Sequence, residues 1–155
     1  GGAKMAVNVD ISGKILEKGR LNYSLNGLEC LPGEFFKGNA FEYLAWAKKR
    51  EKLFDIIVLD PPSFARFKGF SFNVQRDLDS LVEASAAVLA SDGFLMVSSN
   101  YSAFRLENFA QKALNNVKKI CGNAQIIWKR SQSADFVGTG LTKDSSLCAV
   151  LIQNL

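Results

Sequence analysis

An apolar run, Phe54-Asp55-Ile56-Ile57-Val58, leads straight into Leu59-Asp60-Pro61-Pro62-Ser63-Phe64, and this junction constrains the chain more than any other feature. The run reads as a buried parallel strand, and the paired prolines end it because neither can donate a backbone hydrogen bond to a ladder. Asp60 is left at the carboxyl end of a strand. In an open α/β sheet ligands collect at that end, which places the acid for chemistry; taken alone, the same tripeptide is equally a rigid exit from strand to loop.

The surrounding pattern alternates strands with helices. Lys4 to Asp10 reads as a short strand ending in an acid, and Ser12 caps a helix to about Leu25, with Ile15, Leu16, Leu21 and Leu25 among its apolar positions and Asn26-Gly27 as its stop. Glu34 to Lys37 forms a second strand, and Asn39 caps a helix through Phe41, Leu44, Ala45 and Lys48. The third strand ends at Asp60. A loop with Arg66, Lys68 and Gly69 follows, then an amphipathic helix from about Val74 to Ala90, ended by Ser91-Asp92-Gly93. Phe94 to Ser98 is a fourth strand, Leu106 to Val117 a helix, Gln125 to Lys129 a fifth strand and Leu147 to Ile152 a sixth. Such alternation implies βαβ units, a mostly parallel sheet with helices on both faces, and, because no helix joins the last two strands, a terminal antiparallel hairpin at one edge.

Composition narrows the chemistry. The 155 residues, 48% hydrophobic and 22% charged, suit a single globular domain, residues 1–155, with a sizeable core. No apolar stretch approaches the ~20 residues that span a bilayer, and no signal peptide is evident, so a soluble cytoplasmic protein without a membrane partner is expected. Cys30, Cys121 and Cys148 are widely spaced, which fits reduced thiols, with Cys148 in the core, and neither a disulfide framework nor a metal site. The chain contains no histidine, which removes the commonest general base and the triads built on it. Catalysis must then rely on carboxylates, backbone groups and positioning. The net charge of +4 is compatible with an anionic partner such as nucleic acid.

The ordered set of strand-Asp10, strand-Gly38-Asn39-Ala40-Phe41, strand-Asp60-Pro61-Pro62 and a terminal hairpin resembles the class I S-adenosylmethionine-dependent methyltransferases. Asp60-Pro61-Pro62-Ser63-Phe64, Val74-Gln75-Arg76-Asp77 and Ser98-Ser99-Asn100 look like the branch that methylates large-subunit ribosomal RNA bases. The resemblance covers nearly the whole chain. It implies a Rossmann-like fold, S-adenosyl-L-methionine as cofactor and RNA as partner.

It also implies roles. Asp10 would accept hydrogen bonds from the two ribose hydroxyls of the cofactor, with Ile11 packed on the adenine; the same acid is otherwise a helix N-terminal charge favoured by the dipole. Asn39, with Ala40 and Phe41, would meet the adenine, its side-chain carbonyl accepting from the amino group where the family usually has an acid; it is otherwise an ordinary helix cap. Asp60, Pro61, Pro62 and Phe64 would form the catalytic pocket for the target base, Phe64 stacking on a base flipped out of folded RNA, and Asp60 would also contact the cofactor. Ser63 displaces the aromatic by one place from the usual motif. Arg66 and Lys68 would meet phosphates or remain solvated.

Methyl transfer needs alignment more than proton chemistry, because the sulfonium carries its own leaving group. Cytosine C5 is a poor nucleophile that requires prior attack on C6 by a cysteine thiolate, and this chain has Ser98-Ser99-Asn100 and Ser63 where such family members carry cysteine. Guanine N7 offers a lone pair directly, and N7 is favoured over C5. The family's first strand and Gly-rich loop would precede Gly1, so the isolated chain is expected to be inactive or nearly so; turnover with an RNA substrate would contradict that. Two competing readings remain open: a non-catalytic RNA-binding or assembly module with this fold, and a nucleotide-dependent oxidoreductase in which Asp10 again binds a ribose.

Overall fold

The computed structural model describes residues 2–67, 69–131 and 147–155. The chain forms two compact units, Gly1–Ala47 and Lys48–Leu155.

In the first unit, β1 (Asn8–Asp10) pairs in parallel with β2 (Phe35–Lys37), Asp10 lying opposite Lys37. β1 is shorter than the sequence suggests. Between the strands runs α1 (Gly13–Leu25), whose N-terminus is capped as expected by the Ser12 hydroxyl accepting from the Ile15 N–H at 3.4 Å. Of its expected apolar positions only Leu16 is buried, while Ile15, Leu21 and Leu25 are exposed. A buried acid orders the chain before β2. Glu34 accepts from the Ala6 N–H at 3.1 Å through Oε1 and from the Leu31 N–H at 2.9 Å through Oε2, so both carboxylate oxygens are satisfied. α2 (Ala40–Lys49) follows β2 directly.

The second unit holds the larger sheet, β3 (Phe54–Leu59), β6 (Leu89–Ser99), β8 (Cys148–Asn154) and β7 (Ala124–Ser131), in the order β3-β6-β8-β7. β3 and β6 are parallel; β8 runs antiparallel to both β6 and β7, which makes the expected terminal hairpin with β7 at the edge. The mostly parallel arrangement read from the sequence thus resolves into parallel pairs at β1–β2 and β3–β6 and antiparallel pairs around β8. The connection between β7 and β8 lies outside the described residues.

Two helices cover the sheet. α3 (Val74–Ala86) buries Val74, Leu78, Leu81, Val82, Ser85 and Ala86, and α4 (Leu106–Cys121) buries Phe109, Ala110, Ala113 and Val117, each a stripe of helical period. They pack on each other and over β6, β7 and β8, burying Leu95, Val97, Val150 and Ile152 completely. Each such side chain contributes roughly 1.5–3 kcal/mol on burial.

Three sequence expectations are corrected. β3 is not a buried strand: Ile56 is 67% and Val58 59% exposed, because β3 ends the strand order and the helices pack over its neighbours. The helix expected to reach Ala90 stops at Ala86, since the Val88 carbonyl is taken by the Phe54 N–H at 2.9 Å and β6 begins at Leu89. The stretch read as a loop is a hairpin, β4 (Phe64–Phe67) with β5 (Phe70–Asn73), closed by Gly69 at φ +80°.

Candidate functional site

The residues singled out in the sequence fall into two groups. Asp10, Ile11, Asn39, Ala40 and Phe41 lie in the first unit, and Asp60, Pro61, Pro62 and Phe64 in the second.

In the first group, Asp10 closes β1 and Asn39 follows β2, so both stand at the carboxyl end of a parallel pair. The Gly38 N–H donates to the Asp10 carbonyl at 3.0 Å and ties the two exits together. Gly38 has no room for a side chain, since a Cβ there would lie 2.5 Å from Phe36 Cε1. Asp10 Oδ1 accepts from the Ser12 N–H at 2.6 Å, which fixes the carboxylate against the start of α1. Its Oδ2 has no partner among the described residues, leaving an acceptor for a hydroxyl donor. Asn39 is buried, and its Oδ1 accepts from the Phe41 N–H at 2.9 Å while its own carbonyl accepts from the Tyr43 N–H at 3.1 Å. The capping role is therefore real, and a further bond to Asn39 would use the second lone pair of Oδ1 or the Nδ2 donor. Ile11, Ala40 and Phe41 are half-buried beside these groups in sequence. A part-buried carboxylate with one oxygen open, next to a buried amide and small or apolar side chains, fits the ribose and adenine of a nucleoside.

In the second group, Leu59 pairs with Val97, so the next residues along the two parallel strands, Asp60 and Ser98, exit side by side. The buried Ser98 hydroxyl donates to Asp60 Oδ1 at 2.7 Å, with the Leu59 carbonyl 3.4 Å away. This bond holds one carboxylate oxygen, and Oδ2 has no hydrogen-bond partner among the described residues. Asp60 and Pro62 are exposed and Pro61 half-buried. Ser63 Oγ reaches Asn100 Oδ1 at 3.4 Å, which joins the Pro-Pro exit to the segment after β6 a second time.

Phe64 opens β4 and is 51% exposed, and the Arg66 guanidinium carbon lies 5.2 Å from its ring centroid. The hairpin is fastened behind them. The Val74 N–H donates to the Ser63 carbonyl at 3.1 Å, and Arg76 Nη2 donates to the Ser71 carbonyl at 3.0 Å. Arg76 also grips both oxygens of Asp77 at 2.7 and 2.8 Å. Arg76 and the Asn73 N–H together hold the Asp77 carboxyl below its ordinary range. The phosphate role expected for Lys68 falls on a residue outside those described.

The sequence reading gave no individual role to Ser98 or Asn100, and it missed the hairpin. Alternation in Phe64-Ala65-Arg66-Phe67 and Phe70-Ser71-Phe72-Asn73 around a glycine was the signal for the latter. Of the three free cysteines, Cys30 is exposed and Cys148 buried, as expected for a core residue. Burial pushes the Cys121 and Cys148 thiols up, and for Cys148 this outweighs the opposing pull of Arg105. Among the described residues no three His, Cys, Asp or Glu side chains cluster to hold a metal ion, and no helix is long and apolar enough to cross a membrane.

Residues 1–120 match the family model of the S-adenosylmethionine-dependent methyltransferases. The chain belongs to this family. It is 35% identical over 123 residues to ribosomal RNA large subunit methyltransferase K of Neisseria meningitidis, a match covering 77% of this chain and 35% of that protein. It is 38% identical over 113 residues to the K/L enzyme of Psychrobacter arcticus, covering 68% of this chain and 14% of that one. This member of the family thus spans about a third or less of the length of these curated relatives. Among solved structures, SMU.776 complexed with SAH superposes with a TM-score of 0.82 at 23% identity, covering 99% of this chain and 40% of that one. A SAM-dependent methyltransferase from Agrobacterium tumefaciens gives 0.72 at 19% identity, covering 95% and 48%. These likenesses establish the Rossmann-like α/β fold.

Proposed function

We propose that residues 1–155 are a single, partial catalytic domain of the kind that transfers a methyl group from S-adenosyl-L-methionine to a base of ribosomal RNA, with guanine N7 as the target atom ahead of cytosine C5, and that this part by itself is inactive or nearly so. The observation that carries this reading is the Asp60–Ser98 pair at the carboxyl ends of two parallel strands, followed by a rigid Pro-Pro exit and an exposed aromatic ring. The names of the two relatives, both large-subunit ribosomal RNA methyltransferases, supply the substrate class. The setting proposed is the cytoplasm, with RNA as partner and no metal.

When bound, S-adenosylmethionine supplies an activated methyl group on a positively charged sulfur. The chain's own residues hold and orient. Asp10 Oδ2 accepts from a ribose hydroxyl while Oδ1 stays on Ser12, and Asn39, Ala40 and Phe41 with Ile11 enclose the adenine. Asp60 is assigned to the target base. Its Oδ2 accepts from a donor on the base edge, which guanine offers at N1 and N2, while Ser98 keeps Oδ1 still. Pro61 and Pro62 fix the backbone between this acid and Phe64, whose ring offsets the cost of unstacking the target base. Alignment of the reacting atoms is the catalytic contribution, and it requires no histidine.

The cysteines support N7 over C5. Attack on cytosine C6 requires a thiolate, and Cys148, which pairs with Ser99 at the end of β6, is buried with its thiol pushed up. The test is digestion to nucleosides of large-subunit ribosomal RNA incubated with the protein and methyl-labelled cofactor. Label carried to RNA is expected in 7-methylguanosine; label in 5-methylcytidine contradicts the assigned atom, and a folded protein with no affinity for S-adenosylhomocysteine contradicts the cofactor.

A further inference from the structure

The hairpin β4–β5 has an inner and an outer face that differ in kind. Cross-strand partners share a face, so Ala65 and Phe72 lie on one side and the pairs Phe64–Asn73 and Arg66–Ser71 on the other. Phe72 is 5% exposed and anchors the inner side, whereas Phe64, Arg66 and Ser71 are exposed. The hairpin continues without a break from Asp60-Pro61-Pro62. Its backbone is fastened to α3 through Ser63, Ser71 and the Arg76–Asp77 pair, which makes it a firm platform.

The two arginines of this region are in opposite states. Arg76 is neutralised by Asp77 and spends its donors on the fold. Arg66 has no carboxylate partner among the described residues and rests on the Phe64 ring instead. A surface arginine alone is ordinarily solvated. An unpaired guanidinium standing over an exposed aromatic on a rigid strand is the combination that takes a single-stranded nucleic acid, the ring for a base and the cation for the backbone.

We infer that the outer face of β4–β5 seats the single-stranded RNA segment carrying the target base, with Arg66 bound to a phosphate of the nucleotide whose base stacks on Phe64. The inference rests on the RNA-methyltransferase reading. In the free protein Arg66 holds the ring; on binding, the guanidinium turns to the phosphate and the ring meets the base. The fork of donors suits a phosphate better than an ammonium would, while either cation releases counterions.

The test is fluorescence anisotropy with a labelled, short, mixed-sequence single-stranded RNA across a series of salt concentrations. It compares the unmodified chain with Arg66→Ala, Arg66→Lys and Lys119→Ala, the last removing an equal charge that is already paired with Glu83. Circular dichroism checks that each is folded. Arg66→Ala is expected to weaken binding about tenfold and to lower the slope of log affinity against log salt by ~0.7, the share of one phosphate on a single strand. Arg66→Lys retains the slope, and Lys119→Ala changes neither quantity. An Arg66→Ala protein with unmodified affinity and slope overturns the inference alone, as does displacement of the RNA by polyglutamate as readily as by unlabelled RNA. Absence of RNA binding by the unmodified chain overturns the RNA reading, and the inference with it.

Discussion

Ser98 donates its hydroxyl hydrogen to Asp60 Oδ1 at 2.7 Å, across the exits of β3 and β6. A serine has one such hydrogen, and spending it here fixes the acid's rotamer and decides which oxygen faces a substrate. Ser98→Ala leaves the carboxylate free to turn. Hydrogen bonds to a charged group contribute roughly 1.5–3 kcal/mol, and the exposure of Asp60 puts the effect at the lower end. Residual methyl transfer is expected to fall about tenfold, with S-adenosylhomocysteine affinity changed far less and Ser98→Thr restoring the rate. Equal rates for Ser98→Ala and the unmodified protein would contradict the positioning role.

Gly38 makes a similar prediction for the first group. Its N–H ties the Asp10 carbonyl to the β2 exit, and a Cβ would collide with the Phe36 ring. Gly38→Ala is expected to cost about 1–3 kcal/mol of stability as the ring is displaced. It should also weaken S-adenosylhomocysteine binding. A thermal midpoint and a titration both unchanged from the unmodified protein would contradict this account of the glycine.

Much of this was legible in the sequence because it is local. The cap at Ser12, the stop at Asn26-Gly27 and the acids closing β1 and β3 each follow from a few neighbouring residues. The exposure of β3 was not legible, because Phe54 to Leu59 has the composition of an interior strand and its exposure depends on which strands and helices flank it. The end of α3 was misplaced for the same reason: Val88 is captured by Phe54, a contact far away in sequence. Ser98 stood within a recognisable segment, but its bond to Asp60 depends on β3–β6 register, which no single strand reveals.

The thiols should separate by reactivity. Cys30 is exposed, whereas burial keeps Cys148 neutral and covered and pushes the Cys121 thiol up. Brief treatment of the native protein with iodoacetamide at neutral pH, followed by peptide mass spectrometry, is expected to modify Cys30 well before Cys148. Comparable modification of Cys148 would contradict its core position and reopen cytosine C5 chemistry.

The Arg76–Asp77 pair predicts a pH dependence. Asp77 is held below its ordinary range, first by Arg76 and then by the Asn73 N–H, so its contribution to folding is fully present above the unfolded carboxylate range. That contribution is lost as pH falls through the depressed folded value. The difference in urea midpoint between the unmodified protein and Asp77→Asn should be largest near neutrality and shrink on acidification. A difference independent of pH would assign Asp77 to geometry alone.

The most direct test of the central claim is a calorimetric titration of S-adenosylhomocysteine into the folded chain and its Asp10→Ala variant. In the proposed site Asp10 Oδ2 is the acceptor for the ribose, so saturable binding is expected for the unmodified protein, weakened about 10- to 100-fold in the variant by the loss of a charged hydrogen bond. Binding that Asp10→Ala leaves untouched, or no binding by a folded chain, would contradict the proposed cofactor site.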